Sequence, residues 1–283
     1  MYTTLVSTDL LASHLTDWAI VDCRFDLQNE RWGREQYRLA HIPGSVYASL
    51  NADLSATPTG SNGRHPLPTI EELATTFGRL GLDRGTQVVA YDQDTGSFAS
   101  RLWWLLRYLG HDAVAVLDGG WAKWVREGRP TRSGDEMRPA VTFTPSPRLE
   151  ARVELGDVIA RVDKRSALLI DARAPERFEG RTETIDRVAG HIPGAANHFF
   201  KENLASDGTM LSPESLRAKF DETLRGRPPS DAVMYCGSGV TACQNLLAME
   251  HAGLPGTRLY VGSWSEWSSD PSRPIETGPS QRK

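Results

Sequence analysis

The sequence predicts an α/β protein built from two copies of one domain, each with an open, mostly parallel sheet flanked by helices. Short apolar runs that read as strands alternate with helical segments along the chain, a pattern typical of parallel sheets. The order of motifs in the first half recurs in the second half at a distance of roughly 145 residues. That distance is far too long for a solenoid repeat, so it indicates two tandem domains.

Segments of the first half read as strands and helices in turn. Strands are expected over residues 19–22, 87–91 and 114–117, and helices over residues 70–80 and 97–109. Thr69 and Glu72 form the capping-box pattern that precedes the first of these helices. Residues 51–68 are rich in Asn, Ser, Thr, Pro and Gly, so we expect a long loop there.

The second half repeats this order. The matching segments are the strand ends Val21-Asp22 and Ile170-Asp171, the His-Ile-Pro-Gly sequences at residues 41–44 and 191–194, the strands before Asp92 and Cys236, and Trp121 with Trp264. Ser212 followed by Pro213 marks another helix start. Because a Pro- and Gly-bearing stretch separates the copies, we expect a first domain over residues 1–132, a linker over 133–152 and a second domain over 153–283.

Cys236 is the candidate nucleophile. It follows a predicted strand, and Gly237 and Gly239 then open a tight turn before a helix expected over residues 240–251. Backbone N–H groups converge at such a turn and the helix dipole is positive there, so the thiol pKa is expected to fall below the free value of about 8.5. Asp92 stands at the matching position of the first half. Either the second half alone is catalytic, or the cysteine is incidental and neither half is; the Gly-rich turn favours the first alternative.

Composition and charge exclude several classes of protein. The formal net charge of −4 gives no basic surface for nucleic acid or an anionic membrane. No segment approaches the ~18 apolar residues that span a bilayer, and the first residues lack the pattern of a signal peptide. Three cysteines do not make a disulfide framework. We therefore expect a reduced, soluble, cytoplasmic protein with no nucleic-acid or membrane partner.

The loop Cys-Gly-Ser-Gly-Val-Thr at residues 236–241, the paired His-Ile-Pro-Gly sequences and the Gly-x-Trp segments together resemble the tandem rhodanese-type sulfurtransferases. The resemblance extends from about residue 5 to residue 277. Within this family, the loop is similar to that of members that use 3-mercaptopyruvate. Members that prefer thiosulfate carry an arginine and a lysine at the positions of Gly237 and Ser238. A cation at the loop mouth suits the thiosulfate dianion, whereas a neutral pair suits a monoanionic thiol acid.

The resemblance implies a two-step transfer that needs neither a metal nor an organic cofactor. The Cys236 thiolate takes the sulfur of the small-molecule donor 3-mercaptopyruvate as a persulfide and releases pyruvate. A thiol acceptor such as thioredoxin, or cyanide in an assay, then takes the outer sulfur. The loop residues Gly237, Gly239, Val240 and Thr241 would bind substrate and stabilise negative charge on the sulfurs through their amides.

The resemblance also implies two arginines that bind the donor. Arg177 matches an arginine that holds the donor's carboxylate, for which a bidentate guanidinium is well suited. A salt bridge to Glu176 or Asp171 is the alternative role. Arg187 lies where a second arginine is expected, with a solvated surface charge as its alternative.

A proton relay is implied in the same way. Ser238 and His65 match a serine and a histidine that handle the proton of the donor's thiol. The alternatives are a serine that only caps the next helix and a solvated loop histidine. The family's third member is an aspartate, but Asn51 stands at that position and Asp53 is the nearest candidate substitute.

Other prominent residues are expected to be structural. Two pairs of residues recur in both halves: His41 with His191, and Asp22 with Asp171. Because they also occur in the half that lacks the nucleophilic cysteine, they are expected to be structural. The aspartates are expected to accept hydrogen bonds from loop amides. The tryptophans expected in the cores or at a domain interface are Trp103, Trp104, Trp121, Trp124, Trp264 and Trp267. Cys23 and Cys243 are expected to be buried and inert, with a redox role as the alternative.

Competing functions come from different classes. A cysteine-dependent phosphatase or arsenate reductase needs an arginine about six or seven residues after the cysteine, where this chain has Ala242 and Cys243. A non-catalytic sulfur-binding or regulatory module would lack the nucleophile, which describes the first half but not the second. Among sulfurtransferases, thiosulfate as the main donor is the alternative.

Overall fold

The computed structural model describes residues 1–164 and 168–280, which form two compact units. The first unit comprises Met1–Ala56, Pro68–Arg148 and Ala205–Met210. The second comprises Thr57–Leu67, Leu149–Leu204 and residues 211–280. Most of the loop expected over residues 51–68 therefore belongs to the second unit. The domain bounds proposed from the sequence remain a prediction, but each unit contains one of the two sheets.

The first unit has a five-stranded sheet in which every pair of neighbours is parallel. Its strands are β1 (Leu5–Val6), β2 (Ala19–Asp22), β3 (Ser45–Tyr47), β4 (Val88–Tyr91) and β5 (Val114–Leu117), in the order β1-β5-β4-β2-β3. Its helices are α1 (Thr8–Ala12), α2 (Trp32–Leu39), α3 (Ile70–Arg79), α4 (Ser97–Tyr108) and α5 (Gly120–Arg126).

The second unit repeats this architecture strand for strand. Its strands are β6 (Arg152–Val153), β7 (Leu168–Asp171), β8 (Ala196–Asn197), β9 (Ala232–Tyr235) and β10 (Arg258–Tyr260), in the order β6-β10-β9-β7-β8, again all parallel. Its helices are α6 (Leu155–Lys164), α7 (Pro175–Phe178), α8 (Pro213–Leu224), α9 (Thr241–His251) and α10 (Ser263–Trp267). The predicted tandem α/β fold is confirmed.

The central strands form where the sequence has short, continuous apolar runs. All four residues of β4 and of β9 are buried, as expected for strands covered on both faces. The capping box at the start of α3 is present in both directions. The Glu72 N–H donates to Thr69 Oγ1 (3.2 Å), and the Thr69 N–H donates to Glu72 Oε2 (2.8 Å).

The sequence did not predict the edge elements. Strands β1, β3, β6 and β8 have only two or three residues each, which is too short for a periodic pattern. Helix α2 lies in a strongly charged stretch, where only Gly33 and Tyr37 are buried. Among the described helices, none combines the length and the apolar character needed to cross a membrane.

Recurring tryptophans and histidines fill matching places in the two cores. Trp124 and Trp267 are buried and donate from Nε1 to the carbonyls of Pro130 (2.8 Å) and Pro274 (2.9 Å). His191 stacks on Phe178, with ring centroids 3.7 Å apart, and its Nδ1 lies 2.7 Å from the Phe178 carbonyl oxygen.

The first unit repeats this histidine contact. His41 stacks on Tyr37, and its Nδ1 lies 2.7 Å from the Tyr37 carbonyl oxygen. Both histidines thus have the structural role expected from their recurrence.

Candidate active site

Cys236 lies directly after β9, at the carboxyl end of a central parallel strand and just before α9. The Gly239 N–H donates to Cys236 Sγ over 3.2 Å, and the cysteine is 1% exposed. The amide contact and the start of α9 both favour negative charge on sulfur. The loop therefore has the geometry of an anion cradle with a thiol at its centre.

Two glycines allow the loop to close this tightly. Gly239 has φ +75, and a Cβ there would lie 2.4 Å from the carbonyl oxygen of Val261. Only glycine both adopts this left-handed backbone conformation readily and fits into the space at this position. Gly237 has no such backbone requirement, but a Cβ there would lie 2.9 Å from Nη2 of Arg64.

The start of α10 holds the loop from the other side. The Trp264 N–H donates to the Cys236 carbonyl (3.0 Å), and the Ser265 N–H donates to the Gly237 carbonyl (2.9 Å). The Cys236 N–H donates to Ser263 Oγ (3.1 Å), although Ser263 has an unfavourable φ of +55. Such strain at a non-glycine residue is often found at functional sites.

Sequence reasoning missed Ser263 as a partner of the loop. The signal lay in the comparison of the two halves, because the first unit has Gly120 at the matching place with the same φ of +55. The Trp121 N–H there donates to the Asp92 carbonyl (2.9 Å), just as Trp264 does for the cysteine. A serine in place of a glycine that needs positive φ indicates a role for the hydroxyl.

The structure brings His65 and Ser238 together. His65 Nδ1 lies 2.7 Å from Ser238 Oγ, and each residue is 5% exposed. Both belong to the second unit, because the loop segment Thr57–Leu67 is part of it. The solvated loop histidine considered above does not fit this burial. The proton-relay role stays a prediction.

Asp53 and Asn51 belong to the first unit. The Asp53 carboxylate accepts from the Ser49 N–H (2.8 Å) and pairs with Arg79. Asn51 is half-buried in the same loop. A role for either residue as the third member of the relay stays a prediction.

Arg177, in α7, lies beside the cysteine loop but pairs with neither Glu176 nor Asp171 in the bonds described. Its Nε donates to both oxygens of Glu183 (3.1 Å each), and its Nη2 donates to Asp186 Oδ2 (2.9 Å). Arg187 follows directly in the chain and is exposed. Donor binding by Arg177 and Arg187 stays a prediction.

Buried ion pairs support the strand ends in both units. Asp171 accepts from the Arg173 N–H (2.9 Å) and pairs with the Arg173 guanidinium (2.7 Å). Asp22 and Arg24 repeat these contacts at 2.9 and 2.6 Å. The expectation that these aspartates bind loop amides is confirmed, and the arginine partners are an addition.

In the first unit, a carboxylate fills the loop that matches the cysteine loop. Asp92 Oδ1 accepts from the N–H groups of Asp94 (3.1 Å) and Gly96 (2.9 Å), and Oδ2 accepts from those of Phe98 (2.8 Å) and Ala99 (3.2 Å). This fold thus builds an anion cradle at this place in both units. Burial raises the pKa of Asp92 to about 6, although the amides of Gly96, Ala99 and Phe98 lower it.

The Asp92→Asn substitution is expected to remove part of the pH dependence of stability. Because the folded pKa of about 6 lies above the ordinary value of 3.8, wild-type stability falls as pH rises between these values. The free energy of unfolding of the variant, relative to that of the wild type, should therefore rise by up to about 3 kcal/mol between pH 4 and pH 7. Urea denaturation at both pH values measures this difference. A difference that is the same at both pH values would contradict the raised pKa of Asp92.

In the part of the chain that the structure describes, no group of three or more His, Cys, Asp or Glu side chains is placed to hold a metal ion. Cys23, Cys236 and Cys243 are all buried and free of disulfides.

Comparisons with known proteins agree with this fold. The family model for the rhodanese-like domain matches residues 7–127 and again residues 154–270. The chain is 46% identical, over 278 residues, to a Pseudomonas aeruginosa protein named "Probable 3-mercaptopyruvate sulfurtransferase", covering 97% of this chain and 98% of that protein. It is 34% identical, over 295 residues, to thiosulfate sulfurtransferase of Mus musculus, covering 100% and 97% of the two chains.

A solved structure gives the same result. The 3-mercaptopyruvate sulfurtransferase from Leishmania major superposes with a TM-score of 0.85 at 32% identity, over 94% of this chain and 74% of that one. The family model covers most of both halves, and relatives above 30% identity span nearly the whole chain. The chain therefore belongs to the rhodanese-like family, as a sulfurtransferase with two copies of the domain in tandem.

Proposed function

We propose that the protein transfers sulfur from 3-mercaptopyruvate to a thiol acceptor through a persulfide on Cys236. The observation that carries the proposal is the position of Cys236 Sγ, 3.2 Å from the Gly239 N–H in a loop that favours negative charge. A thiolate in such a cradle is a strong nucleophile, and the same amide supports the charge of a terminal persulfide sulfur.

In the first step, the Cys236 thiolate attacks the sulfur of the donor. A sulfur–sulfur bond forms as the donor's carbon–sulfur bond breaks, and the electron pair of that bond passes to the carbon as the enolate of pyruvate. The thiol proton ends on this carbon, which completes pyruvate and leaves an anionic persulfide. Ser238 of the loop and His65, with Oγ and Nδ1 2.7 Å apart, are the pair of groups that fits the transfer of this proton.

In the second step, an acceptor thiolate attacks the outer sulfur of the persulfide. The acceptor becomes a persulfide, and the Cys236 thiolate is regenerated as the leaving group. We propose thioredoxin as a physiological acceptor, and cyanide acts in the same way in an assay. The free cysteines fit the cytoplasmic compartment in which such an acceptor is reduced.

The charges beside the loop favour a monoanionic donor over thiosulfate. Gly237 and Ser238 are neutral, and Arg177 is paired with Glu183 and Asp186 in the described structure. The loop residues that follow Cys236 therefore supply no cation of their own to balance the second charge of thiosulfate. Thiosulfate remains the second candidate, because the relative from Mus musculus carries that name.

Intact-mass measurement after incubation with each donor tests the proposal. We expect 3-mercaptopyruvate to add one sulfur atom to the protein and cyanide to remove it. The value of kcat/KM for 3-mercaptopyruvate should exceed that for thiosulfate at least about tenfold, which corresponds to about 1.4 kcal/mol of preference. The reverse ranking would make thiosulfate the donor, and no gain of sulfur from either would contradict the reaction.

A further inference from the structure

Two arginines converge on one carboxylate beside the cysteine loop. Arg64 Nη1 donates to Oδ1 of Asp186, and Arg177 Nη2 donates to its Oδ2 (2.9 Å). The Asp186 side chain is 5% exposed, so these bonds are largely shielded from water. Two guanidiniums that share a carboxylate form an arrangement suited to binding a carboxylate ligand. We call Arg64 and Arg177 the arginine pair.

The arginine pair borders the residue that follows the nucleophile. A Cβ placed on Gly237 would lie 2.9 Å from Arg64 Nη2, 3.5 Å from Asp186 Oδ2 and 3.8 Å from Arg177 Nη2. The absence of a side chain at Gly237 thus lets these groups approach the loop backbone. An anion held by the arginine pair lies beside the loop that carries Cys236.

We propose that Asp186 occupies, in the free enzyme, the place between Arg64 and Arg177 that the donor's carboxylate takes on binding. Arg64 is then a donor-binding residue, and Asp186 is an internal anion that the donor displaces. This inference rests on the proposed function, because it assigns the place of that donor's carboxylate.

The Asp186 carboxylate can move away from the arginine pair, whereas the Glu183 carboxylate is held in place. Glu183 Oε1 also accepts from the N–H groups of Ile185 (2.9 Å) and Asp186 (3.0 Å), so it holds the backbone of this segment. The bonds described for the Asp186 carboxylate are those to the arginine pair. Rotation of its side chain therefore releases the bonds that Asp186 accepts from both arginines, while Arg177 stays paired with Glu183 and the backbone stays in place. Ile185 and Arg187 are exposed, so the released carboxylate is close to solvent.

The charge balance explains why a monoanion fits. When Asp186 leaves, the two positive charges of the arginine pair face the single negative charge of Glu183. One carboxylate then restores neutrality, whereas thiosulfate would leave an excess negative charge. In addition, Arg64 Nε is buried and has no hydrogen-bond partner among the described residues, so it offers a further donor to a ligand.

Asp186→Asn and Arg64→Gln test the proposal in opposite directions. Removal of the competing charge by Asp186→Asn is expected to lower KM for 3-mercaptopyruvate, and the inhibition constant of pyruvate, by about tenfold. Loss of one binding arm in Arg64→Gln is expected to raise both constants by about tenfold, with a smaller change in kcat. Arg64→Lys keeps the charge without the planar fork and should fall between Arg64→Gln and the wild type.

Glu179→Gln and Arg181→Gln are matched controls, since these side chains pair with each other at 2.6 Å in the same part of the chain. They change the net charge by the same amounts as Asp186→Asn and Arg64→Gln. Both constants should stay within about twofold of the wild type, as expected for surface charges. An unchanged or raised KM in Asp186→Asn would show that Asp186 orients the arginines, and would overturn the proposal. If the wild type gains no sulfur from 3-mercaptopyruvate, the proposed function itself fails. Thermal unfolding identifies any variant whose altered kinetics reflect loss of the fold. The variants that remain folded then test whether the donor displaces Asp186.

Discussion

The Cys236→Ser variant is expected to lose sulfur transfer by at least about a thousandfold, because it removes the atom that carries the sulfur between the two steps. The hydroxyl fits the space of the thiol in its buried loop, so the fold should persist. A serine oxygen is not a thiolate and forms no persulfide. Pyruvate release from 3-mercaptopyruvate measures the loss, and intact mass should show no added sulfur.

Cys23→Ser is the matched control for this prediction. Cys23 is buried in the first unit, and its Sγ makes a long contact of 3.9 Å with the Val21 carbonyl oxygen. Burial, followed by the charges of Asp22 and Asp92, raises the pKa of its thiol well above the ordinary range, so it stays protonated at neutral pH. Its variant should transfer sulfur within about twofold of wild type. Turnover by Cys236→Ser within about tenfold of wild type would contradict the persulfide mechanism.

The parts of the fold that could be predicted are those with a local signal. Strands β2 and β5 were predicted at their exact bounds, because a short apolar run defines each of them. Thr69 and Glu72 marked the start of α3 through side chains only three residues apart. The cysteine loop was recognisable because its glycines, strand and helix are contiguous in the chain.

The parts that were missed depend on residues far apart in the chain. The bond between Arg64 and Asp186 joins residues 122 positions apart, and no spacing rule relates them. The partner of Cys236 in α10, Ser263, is 27 residues away and adopts a backbone conformation that a serine rarely has. Sequence patterns report periodicity and local caps, whereas these contacts arise when the sheet brings separate loops together.

Gly239→Ala is expected to have the second-largest effect, on both catalysis and stability. At φ +75 an alanine has a strained backbone, and its Cβ would lie 2.4 Å from the Val261 carbonyl oxygen, so the loop has to move. That movement takes the Gly239 N–H away from Cys236 Sγ, to which it now donates over 3.2 Å. We expect kcat to fall by about 10²- to 10³-fold, as when one donor to a developing anion is lost.

Gly253→Ala separates the loss of this amide from backbone strain alone. Gly253 follows the other end of α9 with φ +71, and the nearest atom to its added Cβ is Arg217 Nη2 at 4.0 Å. It should therefore have similar strain, of about 1–2 kcal/mol in the free energy of unfolding, with kcat within about twofold of wild type. Urea denaturation and single-turnover persulfide formation, measured on both variants, compare the two effects. If Gly239→Ala formed the persulfide at the wild-type rate, the amide at 3.2 Å would have no part in holding the charge on sulfur, and the cradle would serve only to shape the loop.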